Sequence, residues 1–181
     1  TCIETAAVLR QNTALPSLDL ESSALGSAGL AEIAPVLYRN TSIKTLALSS
    51  NGLDDIESAN VLRELLRRNK TITILYLSDN AFGHNAAATR SILEGVRSNN
   101  ALQQLYIEAV DWATGGFNSS KRSGYSDAGI LELALSWNEI TSLGVCALVD
   151  DNVEVVKTLT KLCLSGNPIG SEGTIILADA L

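Results

Sequence analysis

The chain has 181 residues, 46% of them apolar, with only eight aromatic side chains and no Met, which is enough apolar material for one sizeable core. Its 13 Lys and Arg stand against 20 Asp and Glu, a formal charge of −7, so no general attraction to nucleic acid or to an anionic membrane surface is expected. The apolar runs, such as residues 174–178, are far shorter than the roughly 20 residues that span a bilayer, and no leader-like segment opens the chain, so a protein without membrane insertion is expected.

Residues 1–14 read as the end of a helical unit, with Val8 and Leu9 in the frame later held by Val36 and Leu37. The first strand frame follows: Leu15, Leu18 and Leu20, an aliphatic-x-x-aliphatic-x-aliphatic pattern. It returns as Ile43, Leu46, Leu48; Ile72, Leu75, Leu77; Leu102, Leu105, Ile107; Ile130, Leu133, Leu135; and Leu159, Leu162, Leu164. All eighteen positions are Leu or Ile, and the middle residues are 28, 29, 30, 28 and 29 apart. Six repeats starting near residues 15, 43, 72, 102, 130 and 159 are therefore predicted within one unit spanning 1–181.

Each repeat reads as strand, loop, helix. Five residues after the strand anchor stand Ser23, Asn51, Asn80, Val110, Asn138 and Asn167, and an Asn there can pair with the backbone of neighbouring turns, forming a ladder. Two residues later an apolar row, Leu25, Leu53, Phe82, Trp112, Ile140 and Ile169, is expected to return to the core. Gly29, Ala86, Gly116, Gly144 and Gly173 mark a row of small residues that suits close helix approach, with Glu57 as the exception. Leu30, Ile33 and Leu37, then Val61, Leu62, Leu65 and Leu66, carry helical spacing. Asn12, Asn40, Asn69 and Asn99 close helices, where a residue tolerant of the left-handed conformation is expected.

The fourth repeat is irregular over 110–128. Trp112, Gly116 and Phe117 keep register, whereas the Ser, Gly, Lys and Arg of 118–124 cannot build an apolar helix face, and a convex-side loop is expected there. The scattered Cys2, Cys146 and Cys163 give neither a disulfide framework nor metal-ligand spacing, so a reducing, cytoplasmic setting is expected. The sequons at Asn40 and Asn69 fall in a recurring turn that the repeat itself explains; a third lies at Asn118. His84 is the sole histidine, and no phosphate-binding loop or Cys-x-x-Cys occurs, so neither an enzyme nor a cofactor is expected. Asp54-Asp55 and Arg67-Arg68 read as capping or surface charge.

The pattern resembles the ribonuclease-inhibitor-like leucine-rich repeats, and LTKLCLSGNPIGSEG at 159–173 carries the resemblance nearly residue for residue. That family includes ribonuclease inhibitor, the Ran GTPase-activating proteins, sensor domains of cytosolic immune receptors and the tropomodulins, which share a fold but no single activity. The resemblance implies an α/β, right-handed solenoid with parallel strands on a concave face and helices on a convex one. The chain is also expected to be part of a longer protein or a larger complex.

The period-2 pleat turns Asp19, Ala47, Tyr76, Tyr106, Ala134 and Cys163 to the concave side, with Gln104 and Glu108 beside the tyrosines and Asp79 and Trp137 at the rim. Tyr76, Tyr106, Glu108, Asp79, Gln104 and Trp137 are thus the predicted contact residues of a partner protein, and the charge favours a basic one. Two other functions are compatible with the resemblance: a Ran-type GTPase-activating regulator and a structural subunit of a large assembly. The first needs an arginine on a strand-to-helix loop, and only Arg122, in the irregular segment, qualifies.

Overall fold

A computed structural model describes residues 2–82, 86–108, 130–149 and 159–181. The elements in chain order are α1 (Cys2–Gln11), β1 (Ser17–Asp19), α2 (Gly26–Leu37), β2 (Thr45–Ala47), α3 (Ile56–Arg68), β3 (Ile74–Tyr76), α4 (Ala86–Arg97), β4 (Gln104–Tyr106), β5 (Glu132–Ala134), α5 (Ser142–Val149), β6 (Lys161–Cys163) and α6 (Gly170–Ala180). Six parallel strands form one sheet in sequence order, and Leu18, Leu46, Leu75, Leu105, Leu133 and Leu162 stand directly opposite one another. The anchor row read from the sequence is the register of the sheet. Slipping it by one residue would turn every anchor away from the core.

Burial follows the frame. The anchors are 9, 0, 1, 2 and 6% exposed from Leu18 to Leu133, and Leu48, Leu77, Ile107 and Leu135 are wholly buried. Leu53, Phe82 and Ile140 of the returning row are also in the core, while Ile169 is half-buried. Trp112, Gly116, Phe117 and the rest of 110–128, together with His84, lie outside the described residues. Helix α3 shows the local logic. Asp55 caps it by accepting from the Ser58 amide at 2.7 Å, Ser58, Ala59, Leu62, Leu65 and Leu66 form its buried stripe, and Arg67 and Arg68 sit at its negative end. Small residues do permit close approach: a Cβ on Gly173 would come 3.2 Å from the Ser142 Cα of the preceding helix. The tightest such contact between helices is one the spacing did not single out, Gly95 in α4, where a Cβ would lie 2.8 Å from the Arg63 Cα in α3.

The asparagine ladder is present with a defined direction. Asn51 Oδ1 accepts from the amides of Ser23 and Leu25, both at 3.1 Å, and its Nδ2 donates to the Leu20 carbonyl at 2.8 Å. Asn80 does the same for Asn51, Leu53 and Leu48, and Asn167 for Asn138, Ile140 and Leu135. Each amide thus satisfies the turn of the repeat before its own.

The row at the helix ends needs correction. Asn12, Asn40, Asn69 and Asn99 are not left-handed; Asn69 has φ −80° and ψ 129°. All four bend the chain into the next strand through Oδ1, and Asn69 and Asn99 also reach back to the repeat before, as a second ladder. The Oδ1 of Asn69 accepts from Thr71 and Ile72, bending the chain into the next strand, while its Nδ2 donates to the Leu37 carbonyl at 2.7 Å, ending the previous helix. Asn99 repeats this with Ala101, Leu102 and the Leu66 carbonyl. A side chain that caps two repeats has no need of a left-handed backbone. The Asn69 sequon is accordingly structural, since that residue is 2% exposed.

Positive φ falls elsewhere, four residues after the strand anchor, at Ser22, Ser50, Asp79, Trp137 and Gly166. Here the chain turns off the strand, and Gly166 and Asp79 are the types that tolerate the left-handed conformation. A tryptophan at φ 60° is costly by comparison.

Candidate protein-binding surface

On the sheet face turned away from the core, one row runs Asp19, Ala47, Tyr76, Tyr106, Ala134 and Cys163, each directly opposite the next. Parallel strands lie about 4.8 Å apart, close to the stacking distance of aromatic rings. Tyr76 and Tyr106 use that match: their ring centroids are 4.6 Å apart and their planes are 12° from parallel. Both are half-buried, so the stack presents one flat edge to solvent.

The stack is held at one end. Tyr106 donates its hydroxyl to Glu132 Oε2 at 3.0 Å, and Lys161 Nζ lies 3.8 Å from the same oxygen. Residues of β4, β5 and β6 therefore form a polar chain, Tyr106, Glu132, Lys161, across three strands. Burial of the phenol, with the hydrogen bond to Glu132 and that carboxylate's charge, pushes the Tyr106 pKa up to about 12. The group stays a neutral donor throughout the physiological range. Glu132 stands one strand over and two residues before Ala134, the residue opposite Tyr106, so it comes within reach of the hydroxyl only in this register.

The remaining predicted residues are distributed around the pair. Gln104 precedes it on β4 and is half-buried. Glu108 follows it, and its amide donates to Ser78 Oγ at 3.1 Å. Asp79 is exposed at the turn after β3, with Ser50 Oγ at 3.5 Å from its Oδ2. Trp137 is set apart, at the turn after β5, 66% exposed. Its ring lies over Gly166 of the following repeat so closely that a Cβ there would fall 2.4 Å from Cε3. Four of the six thus gather at β3 and β4, Asp79 lies on their rim, and Trp137 forms a second aromatic element toward the C-terminal repeats. Among the described residues no group of three or more His, Cys, Asp and Glu side chains could hold a metal ion, and no helix is long and apolar enough to cross a membrane.

Comparison with known proteins agrees with this architecture. Residues 39–56, 130–149 and 157–178 match the leucine-rich-repeat family. No curated protein sequence gives a significant match. Among solved structures, the chain resembles leiomodin-1 actin-binding site 2 over 98% of its own length and 86% of that chain, with 19% identity and a TM-score of 0.60. It also resembles the tropomodulin C-terminal domain of Caenorhabditis elegans, over 100% of its own length and 92% of that chain, with 17% identity and a TM-score of 0.53. Three matched repeats and a shared fold along the whole chain agree: the protein carries leucine-rich repeats and folds as a leucine-rich-repeat solenoid does.

Proposed function

We propose that this chain is a protein-binding module whose partner docks on the open face of the sheet around Tyr76 and Tyr106. The stacked tyrosine pair carries the reading. Two large rings, immobilised against each other and tethered through Glu132, offer area and a hydroxyl at little further entropic cost on binding. Gln104, Glu108 and Asp79 supply a polar and acidic rim suited to a basic partner, and Trp137, held in a strained conformation while mostly exposed, extends the surface. We read the repeats as of the ribonuclease-inhibitor type, given their length of 28 to 30 residues and the helix that follows five of the six strands among the described residues. Free Cys146 and Cys163 fit a reducing compartment.

A photo-crosslinking residue tests the surface. Placed at Gln104 it should capture a partner, with actin the first to try in view of the leiomodin-1 likeness; placed at exposed Glu57 on α3 it should not. Equal capture from both positions, or capture from Glu57 alone, would move the contact to the helical side.

A further inference from the structure

The helix-end edge of α1, α2 and α3 has a different character from the acidic chain around it. A groove of about 760 Å³ opens there, and Arg10, Arg39 and Arg68 line it with no carboxylate among the lining residues. Tyr38, Pro35 and Val36 add an apolar stretch to its lining. The cations come from three successive units: Arg10 from the last turn of α1, Arg39 just beyond α2, and Arg68 from the last turn of α3. Helix dipoles account for a cation at each helix end, but not for their convergence on one recess. Arg68 is placed by Tyr38, whose ring centroid lies 5.2 Å from its guanidinium carbon, and by Glu64 at 3.0 Å. Arg10 and Arg39 are exposed and make no ion pair among the described residues.

The geometry points to a second docking site at this edge, for an acidic segment of a partner protein in the polyproline II conformation. Packed helices of neighbouring repeats lie about 8–10 Å apart, so arginines supplied by three successive helix ends are expected to be spread along the groove and not bunched at one point. A polyproline II chain brings every third residue to the same side with a rise of about 9.3 Å, so Asp or Glu at every third position meets one arginine per turn. Tyr38 and Pro35 in the lining suit the ridges of such a chain, as aromatic-lined grooves do elsewhere. A volume of this size holds a short segment and not a folded domain.

The test uses a short fluorescein-labelled peptide with Glu at every third position and Pro and Ala between, titrated by anisotropy into the full chain. A control peptide of the same composition has its Glu residues clustered. The spaced peptide should bind more tightly than the clustered one, weaken as salt rises, and lose roughly tenfold in affinity to an Arg10→Gln/Arg39→Gln variant with unchanged melting. A Tyr76→Ala/Tyr106→Ala variant should bind it as the unaltered chain does, which separates this site from the sheet face. Equal affinity for both peptides, or no loss on removing the two arginines, would overturn the proposal. So would binding of phosphatidylserine vesicles through Arg10 and Arg39 while the spaced peptide stays unbound, since the edge would then be a membrane contact.

Discussion

Replacing Asn80 by Ala puts the ladder itself on trial. Asn80 is 1% exposed, and its amide makes four bonds of 2.9 to 3.1 Å, accepting from the Asn51 and Leu53 amides at 3.1 Å each and donating to the Leu48 and Leu77 carbonyls at 3.0 and 2.9 Å, with a longer fifth to the Ser78 carbonyl at 3.3 Å. Alanine leaves these backbone groups without this partner in the centre of the array. At about 1 kcal/mol net per bond, and more for a buried amide left unpaired, the loss is about 3–4 kcal/mol. Asn12→Ala is the internal control, because Asn12 serves only the nearby amides of Ala14 and Leu15, and about 1 kcal/mol is expected there. Urea unfolding followed by circular dichroism measures both. Hydrogen exchange adds a local reading, since protection should fall first at the amides of Asn51 and Leu53, in the repeat before the substitution. A stability within about 0.5 kcal/mol of the parent at Asn80→Ala, or equal losses at the two sites, would refute the idea that each asparagine secures its neighbour's turn.

Two further predictions concern titrating groups. The Asp55 carboxylate is held below the ordinary 3.8 by the side-chain and backbone hydrogen bonds from Ser58, so it stabilises α3 when ionised. Asp55→Ala should cost about 1 kcal/mol at neutral pH, and the difference from the parent should persist above about pH 4 and shrink as acid carries the carboxyl through its lowered folded pKa; a difference that does not vary with pH would contradict this. Tyr106 carries the opposite sign: its raised pKa means that its contribution is complete below pH 10 and is lost as the pH rises toward about 12. Phenolate absorbance should show one tyrosine ionising well above the ordinary range, and Glu132→Gln should bring it down; an unmoved transition would mean that Glu132 does not hold the hydroxyl.

The sequence carried the register because Leu and Ile at a fixed frame leave the sheet no alternative pairing, and the same frame turned Tyr76 and Tyr106 to one face. The proximity of the tyrosines was legible too, but their stacking was not, since side-chain torsions are chosen by neighbours such as Glu132. The helix-end asparagines were placed correctly and explained wrongly: an Asn at a helix end suits either a left-handed backbone or a side-chain cap, and only contact with the repeat before decides between them. Gly95 stands outside the recurring small-residue row, because its close contact with Arg63 arises from the particular fit of α3 against α4. Arg67 and Arg68 were read as ordinary surface charge. For Arg67, paired with Glu64 at 3.5 Å, that holds; for Arg68 it misses the groove it shares with Arg10 and Arg39, residues nearly sixty positions apart in the chain.

The proposed sheet-face contact is tested most directly by calorimetric titration of a crosslinked partner, once identified, against the parent chain, Tyr106→Ala and the Tyr76→Ala/Tyr106→Ala pair. Losing the stack and the Glu132 bond should cost folding only about 1–2 kcal/mol, because neither ring lies in the core, so all three proteins remain comparable. Tyr106→Ala should weaken binding by about 2 kcal/mol and the double replacement by more, whereas Arg67→Ala on the helical side should leave affinity as it is. An unchanged affinity in the folded double variant would contradict the account and place the contact elsewhere on the molecule.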